Sequence, residues 1–354
     1  MRKIEILDCT LRDGGYINNW YFGENNIKKI INGLTDAKID YVECGFLDNT
    51  INEYDLDYSI FTDIIEAEKV ISNIGKTRYM VMMLLHKYYI DGLPICLNNK
   101  VNIIRLAFHK SDFDKMIDYA KKIKNKGYKL FLQPTIIMSY TNQEIIEMIN
   151  KCNNIIKPDG IAIVDTLGEM YTNDIKKLSK IFDKYLDNNI TMLFHGHNNR
   201  QMAFSNAITF IQNVNEKRNI IVDTSLMGMG KDSGNVCTEL MSDYLNQYFN
   251  ASYNYNKIIS IINDCINTYK KKFDWGYNPV YMLNAKNRIH PSYGKYFRNN
   301  IKDLTIMDLN CILGKVPLNE RNNFNKQLAN TIVNQFELEG KRYEDSCNYT
   351  NEIK

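Results

Sequence analysis

The segment IEILDCTLRDGG, residues 4–15, joins a short apolar run to a charged loop that contains two adjacent glycines. Asp-Gly and Gly-Gly pairs are common in turns, so the loop could be an ordinary turn. It could also carry functional groups at the carboxyl end of a strand. Similar apolar runs recur along the chain, and their number and spacing distinguish these two interpretations.

Eight apolar runs rich in β-branched residues have the length and composition of strands buried on both faces, as in a parallel sheet. These runs are residues 4–9, 41–46, 79–84, 102–108, 129–134, 160–165, 191–197 and 219–225. Successive runs begin 23 to 38 residues apart, which is the length of one βα unit. We therefore predict an α/β fold, a (β/α)8 TIM barrel, with a doubly wound open sheet as the alternative.

Amphipathic stretches with helical spacing separate most of these runs and support the βα pattern. They are residues 24–36, 57–72, 111–126, 141–156, 172–186, 199–214 and, after the last run, 236–249. Residues 87–100 have the weakest helical pattern, because they contain Gly92 and Pro94. After residue 249 the chain becomes mainly helical in pattern and rich in Tyr, Asn and Lys. We expect a barrel catalytic domain at residues 1–249 and a C-terminal, mostly helical extension at 250–354.

The composition excludes several classes of protein. The 44 Lys and Arg residues nearly balance the 41 Asp and Glu, and the net charge of +3 is not gathered in a basic patch of the kind that binds nucleic acid. No signal peptide or membrane-spanning run is present, so we expect a cytoplasmic protein with no membrane partner. The eight cysteines have no CxxC spacing, which favours free thiols in a reducing compartment.

Polar residues with chemical potential lie at the predicted carboxyl ends of the strands, where TIM barrels place their active sites. They are Arg12, Asp13, Glu43, His86, His109, Gln133, Asp165, His195, His197 and Asp223. Four of the five histidines of the chain belong to this set. This concentration predicts a catalytic site at that end of the barrel.

The segment FHGHNN, residues 194–199, carries the most informative pair. His195 and His197 are two residues apart on a strand and so project from the same face, about 6 to 7 Å apart at Cα. That spacing suits two imidazoles on one metal ion, and one added carboxylate would complete a facial triad. The alternative is a pair of structural histidines held by hydrogen bonds.

Asp13 is the carboxylate that we expect to complete this triad, with Asp165 and Glu43 as competitors. Arg12, beside it, offers a fork of donors suited to a carboxylate or an enolate oxygen. Glu43 on the neighbouring strand could hold that fork in place, or the two could form a plain buried ion pair.

Three motifs together resemble the DRE-TIM metallolyase superfamily, also called HMGL-like. They are LDCTLRDGG at residues 7–15, HGHNN at 195–199 and SLMGMGKDSGN at 225–235, in the expected order on the first, seventh and eighth strands. The ending DTSLMGMGKDSGN, residues 223–235, is most similar to the 4-hydroxy-2-oxovalerate aldolase branch. The resemblance covers residues 4 to 240.

The resemblance implies one divalent ion, Mn or Mg, bound by Asp13, His195 and His197. It implies that Arg12 stabilises the enolate oxygen of a pyruvate-like carbanion. Asn235 corresponds to a residue that binds the metal in some members of the family. Asp165 corresponds to an element near the metal, so we include it among the candidate catalytic residues.

The implied activity is that of a carbon–carbon lyase, an aldolase that cleaves a 4-hydroxy-2-oxo acid through a metal-bound pyruvate enolate. One residue departs from the pattern, since Tyr16 stands where the aldolases have a histidine base and the synthases a glutamine. A phenol can act as acid or base, or only donate a hydrogen bond to a substrate hydroxyl.

Two other functions remain open from the sequence. One is a Claisen-type synthase that condenses an acyl-CoA with a 2-oxo acid, and the other is a non-catalytic barrel used for binding or assembly. The resemblance also implies a dehydrogenase partner docked through the C-terminal region, and we consider a homo-oligomer as an alternative.

Overall fold

Eight parallel strands form a closed barrel in the computed structural model, which describes residues 2–51, 53–72 and 75–339. In chain order the strands are β1 Ile4–Asp8, β2 Tyr41–Leu47, β3 Ile60–Phe61, β4 Arg78–Leu84, β5 Val101–Phe108, β6 Lys129–Pro134, β7 Gly160–Asp165, β8 Thr191–Gly196 and β9 Ile220–Thr224. The short strand β3 pairs with β2 and is not one of the eight barrel strands. Their order is β1-β9-β8-β7-β6-β5-β4-β2, and the pairing of β1 with β2 closes the ring. The predicted TIM barrel is confirmed, and closure excludes the open sheet.

Apolar side chains fill both faces of this sheet. One cluster takes residues from each of the eight barrel strands and packs inside the barrel, among them Leu7, Met80, Phe131 and Leu193. A larger cluster occupies the layer between the strands and the surrounding helices. Burial on both faces explains why the strands read as continuous apolar runs rather than alternating ones.

Helices connect the strands and follow the last one. They are α1 Gly15–Asn18, α2 Glu24–Asp36, α3 Ile64–Lys69, α4 Phe113–Asn125, α5 Asn142–Lys151, α6 Thr172–Tyr185, α7 Ala203–Asn213, α8 Thr238–Phe249, α9 Tyr255–Ile261 and α10 Asn267–Lys272. The prediction for residues 24–36 is confirmed by α2. Residues 87–100, the weakest helical pattern, contain a single 3₁₀ turn at Ile90–Gly92.

The predicted helix at residues 57–72 is wrong in its first half. Residues 60–61 form β3, which pairs with the end of β2, and α3 begins only after Asp63, whose side chain caps it. The cause lies in β2, where Gly45 has φ 152° and a Cβ there would lie 2.0 Å from the carbonyl oxygen of Ser59. The missing side chain lets the segment approach, and Phe46 donates its backbone N–H to that carbonyl.

The chain divides into two compact units, Met1–Gly276 and Tyr277–Lys354. The division therefore lies later than the boundary after residue 249 expected from the sequence. The physical reason is that α9 packs against α2 and α8 of the first unit, and Ile261 fits over Gly33 of α2. Apolar residues as far as Trp275 belong to the core around the barrel.

The second unit has its own apolar core and is helical, as expected for the C-terminal region. Its helices are α11 Pro279–Lys286, α12 Ser292–Asn300, α13 Ile306–Gly314 and α14 Lys326–Glu339. Tyr293, Phe297, Leu309 and Phe336 are among the side chains that pack together in it.

Within residues 2–339, the cysteines that are free thiols include Cys9, Cys44, Cys96, Cys152, Cys237 and Cys265. Cys311 is disulfide-bonded, so the expectation of free thiols is wrong for that residue. No helix in the described part of the chain is long and apolar enough to cross a membrane.

Candidate active site

Asp13, His195 and His197 meet at the carboxyl ends of the strands. Asp13 lies in the loop after β1, and the two histidines lie at the end of β8, one strand away across β9. Each offers one ligand atom, and these atoms all lie within 4.8 Å of one another. All three residues are buried. The structure thus brings together the three expected metal ligands, and two imidazoles with one carboxylate are a donor set that suits a divalent transition metal.

Hydrogen bonds fix which nitrogen each histidine presents to the site. Nδ1 of His195 lies 3.0 Å from Oδ2 of Asp223, and Nδ1 of His197 lies 3.3 Å from the carbonyl oxygen of Lys231. Because each Nδ1–H donates to an oxygen acceptor, each Nε2 is left as the ligand atom. Burial lowers the pKa of His197 to about 4, so this imidazole is neutral and able to bind a metal near pH 7.

Asp13 is held as a carboxylate. Burial alone would raise its pKa, but the charge of Arg12, helped by the hydrogen bond from Asn235, outweighs burial and lowers it. Nη1 of Arg12 donates to Oδ1 at 2.5 Å, and the backbone N–H of Lys231 donates to Oδ2 at 3.3 Å. The carboxylate is therefore ionised and oriented before any ion binds.

Asn235 lies beside these ligands, where its backbone forms an isolated bridge with that of His197. Its Nδ2 donates to Oδ2 of Asp13 at 2.7 Å, while its Oδ1 is buried without a hydrogen-bond partner in the described structure. A Cβ on Gly230 would lie 2.3 Å from that Nδ2, so only glycine lets the loop come this close. An unpartnered buried oxygen at this point fits a nearby cation.

A continuous chain of ion pairs connects Asp13 to His195 beneath the pocket. Oε2 of Glu43 accepts from Nε of Arg12 at 2.7 Å and from Nη1 of Arg105 at 3.0 Å. Arg105 also donates to Oδ2 of Asp223, the carboxylate that orients His195. Glu43 and Arg105 are fully buried, so these contacts are held in a low-dielectric environment.

Arg105 is the residue of this network that the sequence reasoning missed. It stands in the middle of β5, in the run IIRLAF at residues 103–108. A charged residue inside a run buried on both faces needs a charged partner, and that signal could have identified it. Glu43 likewise contributes through Arg12 and Arg105 and is absent from the lining of the pocket.

Tyr16 forms part of the outer wall of the site and is 41% exposed. Its ring packs edge-on against Trp20, with centroids 4.7 Å apart, and against Phe46. Burial of the phenol, followed by the negative charge of Asp13, raises its pKa to about 12. The phenol is therefore protonated near pH 7, which makes it a hydrogen-bond donor rather than a ready base.

A pocket of about 530 Å³ opens above the metal ligands. Its lining includes Arg12, Asp13, Tyr16, Phe46, Gln133, Thr166, His195, His197 and Lys231. A second pocket of about 590 Å³ shares Tyr16, Phe46 and Leu84 with it and extends to Trp20 and Ile60. Tyr16 thus lies between the two pockets.

Asp165 is not brought to this pocket. Val164 and Thr166 line the pocket, whereas the intervening carboxylate of Asp165 accepts the backbone N–H groups of Glu169 and Met170 at 2.8 and 3.1 Å. Burial, followed by the charge of Glu169, raises its pKa to about 7. In this geometry Asp165 shapes the loop after β7.

His86 and His109, which the sequence also places at strand ends, remain outside the pocket lining. His86 is exposed, and His109 makes its described hydrogen bond through Nδ1 to Oγ1 of Thr135 at 2.7 Å. Of the candidate residues named from the sequence, the pocket therefore brings together the expected metal ligands, Arg12, Tyr16 and Gln133, with Asn235 beside Asp13.

Comparison with known proteins gives consistent results. The HMGL-like family profile matches residues 3–265. The 4-hydroxy-2-oxovalerate aldolase of Moorella thermoacetica is 23% identical over 75% of this chain and 77% of its own length. The oxaloacetate decarboxylase of Mycobacterium tuberculosis is 22% identical, over 68% of this chain and 69% of its own length.

A solved structure is similar over most of the chain. It is the N-terminal domain of a provisionally assigned aldolase from Bacteroides vulgatus, 28% identical, with a TM-score of 0.71. The match covers 83% of this chain and 96% of that one.

Proposed function

The chain belongs to the HMGL-like family and is a metal-dependent lyase, and on that premise we propose that it cleaves a 4-hydroxy-2-oxo acid into pyruvate and an aldehyde. The observation that carries the proposal is that the ligand atoms of Asp13, His195 and His197 lie within 4.8 Å of one another. These residues line a pocket that Arg12 also lines. That arrangement provides a cation site and a guanidinium beside one another, as enolate chemistry requires.

The three ligands would hold a divalent cation. When bound, such an ion acts as a Lewis acid that stabilises negative charge developing on the 2-oxo group. Two of the three donors are imidazole nitrogens, which favours Mn²⁺ over Mg²⁺ as the resident ion.

Arg12 is placed to bind the negatively charged end of the substrate. Its Nε and Nη1 are engaged by Glu43 and Asp13, and its Nη2 has no acceptor among the described contacts. Because Arg12 lines the pocket, this remaining donor is available to a carboxylate or enolate oxygen. The donor is held in position before the charge develops, which is the basis of electrostatic catalysis.

Cleavage breaks the C3–C4 bond of the substrate. The 4-hydroxyl proton leaves as C4 becomes the aldehyde carbon, the electron pair remains on the C3 fragment as the enolate, and protonation at C3 gives pyruvate. Tyr16 donates a hydrogen bond that orients the 4-hydroxyl, and its raised pKa prevents it from serving as the initial base. The hydroxyl proton passes instead to water in the open pocket.

Pyruvate release from a panel of 4-hydroxy-2-oxo acids tests the proposal. Protein purified without chelator should contain a divalent ion, and activity should be lost with chelator and restored by Mn²⁺. The variants His195→Ala and Asp13→Asn should lose the ion. If the metal-loaded protein releases no pyruvate from any member of the panel, the proposal is wrong.

Decarboxylation of a 3-carboxy-2-oxo acid is a second candidate, favoured by one observation. Loss of carbon dioxide gives the same pyruvate enolate but requires no base at a hydroxyl, which matches a protonated Tyr16. The relative named oxaloacetate decarboxylase supports it. Carbon dioxide release from oxaloacetate, faster than the ion alone produces, would favour this candidate over the aldolase.

The other functions considered from the sequence have their own assays. Thiol release from acetyl-CoA in the presence of a 2-oxo acid would indicate a Claisen-type synthase. A wild-type protein that binds no divalent ion would indicate a non-catalytic barrel. The dehydrogenase partner or second copy at the C-terminal region stays a prediction, which size-exclusion chromatography with light scattering tests.

A further inference from the structure

We propose that Lys231 binds a second carboxylate of the substrate, so that the preferred substrate is a 2-oxo acid with a further carboxylate at C4. This inference rests on the proposed function, since it names the substrate class of the same site. It is carried by the position of the Lys231 ammonium in the pocket lining and by the absence of a carboxylate partner for it among the described residues.

The backbone of Lys231 is held at two of the three metal ligands. Its N–H donates to Oδ2 of Asp13 at 3.3 Å, and its carbonyl accepts from Nδ1 of His197 at 3.3 Å. The side chain lines the pocket and places its ammonium 5.7 Å from the centroid of the Tyr16 ring. The cation is thus positioned on the same wall as Tyr16, next to the space that the C4 group would occupy.

The ammonium of Lys231 has no carboxylate partner in the part of the chain that the structure describes, where its one described contact is the Tyr16 ring. Lys87, in the lining of the second pocket, differs because it pairs with Asp48 at 3.3 Å. A lysine that faces a pocket without a counter-ion is ready to bind an anion there, and a charge-assisted hydrogen bond is among the stronger polar contacts.

Two five-carbon 2-oxo acids without a 4-hydroxyl provide a binding test. 2-Oxoglutarate ends in a carboxylate, whereas 2-oxopentanoate ends in a smaller, uncharged methyl group. By titration calorimetry on the Mn²⁺-loaded protein, we expect tighter binding of 2-oxoglutarate. In Lys231→Met that preference should fall about ten- to a hundredfold, the effect of losing one hydrogen bond to a charged group. Lys231→Arg, which keeps the charge, should retain most of it.

Lys87→Met is the matched control, because it removes a nearby lysine that is already paired. It should leave the ratio of the two affinities as in the wild type. A fall in that ratio in Lys87→Met instead would place the carboxylate in the second pocket and overturn the assignment. Wild-type preference for 2-oxopentanoate would overturn it as well, since the substrate's tail would then be apolar.

Turnover separates this inference from the proposed function. The pair to compare is 4-hydroxy-2-oxoglutarate and 4-hydroxy-2-oxopentanoate, which differ only in a carboxylate or a methyl group on C4. In Lys231→Met the ratio of their kcat/KM values should fall about ten- to a hundredfold, mainly through KM. If the variant slows both substrates equally, Lys231 acts on the enolate and the inference is wrong while the aldolase function stands. If neither substrate yields pyruvate but the calorimetric preference holds, the aldolase function is wrong and the carboxylate site stands.

Discussion

The floor of the pocket and its outer wall are built in different ways. The floor consists of the three proposed metal ligands and the ion pairs beneath them, from Arg12 through Glu43 and Arg105 to Asp223, all buried and joined to one another. The outer wall consists of Tyr16, Trp20, Phe46 and Lys231, which meet through ring edges and a cation above a ring. The floor is therefore fixed in place, whereas the wall is held by weaker contacts.

This difference separates two tasks of the site. Asp13, His195, His197 and Arg12 of the floor lie in the motifs that resemble the family, and the charges of the floor are oriented before substrate arrives, as enolate stabilisation requires. The wall contains Tyr16, the departure from the family pattern, and Lys231, which faces the pocket without a carboxylate partner in the described structure. We infer that substitutions in the floor change the chemistry, and that substitutions in the wall change the choice of substrate.

Arg12→Ala should give the largest effect on turnover. It removes the donor that binds the developing oxyanion, and losses of that kind are about 10³-fold in kcat. The measurement is kcat for pyruvate release at saturating Mn²⁺. Arg12→Lys, which keeps the charge but not the fork of donors, should recover only part of the rate. A loss of less than tenfold in Arg12→Ala would remove Arg12 from the chemistry.

Arg105→Met should give the next largest effect, on both stability and metal binding. It leaves the carboxylates of Glu43 and Asp223 buried without their shared cation, a change that costs about 3–5 kcal/mol in the free energy of unfolding. Because Asp223 orients His195, metal affinity should fall about 10- to 100-fold. Denaturant unfolding and metal titration measure the two effects.

Arg218→Met is the control for this experiment. Arg218 is also buried, but it donates to Asp183 and to backbone carbonyls at Asp187 and Ile190, before the start of β8. It should lower stability while leaving metal affinity near the wild-type value. Equal loss of metal affinity in both variants would show that Arg105 acts only through general stability.

The sequence predicted the floor better than the wall, for a physical reason. Floor residues lie on or directly after strands, and a closed parallel barrel brings all such ends to one edge. The spacing of His195 and His197 and the loop with Asp13 were therefore sufficient. Arg105 was missed because the apolar run around it was read as strand core alone.

The wall depends on contacts between distant segments, which periodicity does not report. β3 approaches β2 only because Gly45 has no side chain, and Trp20 reaches the catalytic loop by donating its indole N–H to the carbonyl of Arg12 at 2.7 Å. Because periodicity does not report the contact between β3 and β2, residues 57–61 were predicted to be helical. Lys231 was not singled out in the sequence, because the loop that contains it was interpreted as a family motif. The direction of its side chain depends on backbone hydrogen bonds to Asp13 and His197.

Tyr16→Phe should have a moderate effect, in keeping with a wall residue that donates one hydrogen bond. We expect kcat/KM to fall about 3- to 10-fold, the effect of one such bond. Because the pKa of Tyr16 is raised to about 12, its phenol stays protonated from pH 6 to 10 and contributes no ionisation there. The pH profiles of the wild type and the variant should therefore have the same shape over this range. A rise in wild-type kcat/KM near pH 8 that the variant lacks would instead identify Tyr16 as the base.

Asp165→Asn should have the smallest effect on activity, and its consequence should be seen in stability. Because the carboxylate lies outside the pocket lining, metal affinity and kcat should stay within about threefold of the wild type. Its pKa is about 7 in the folded chain, against about 3.9 for an unperturbed Asp, so between these pH values the folded state binds more protons than the unfolded state. The free energy of unfolding contributed by this group therefore falls as pH rises from about 4 to about 7. Asparagine cannot ionise, so urea unfolding of the variant should show a shallower decline over that range. Equal slopes would show that Asp165 is ionised throughout, and a large loss of metal affinity would place it in the floor after all.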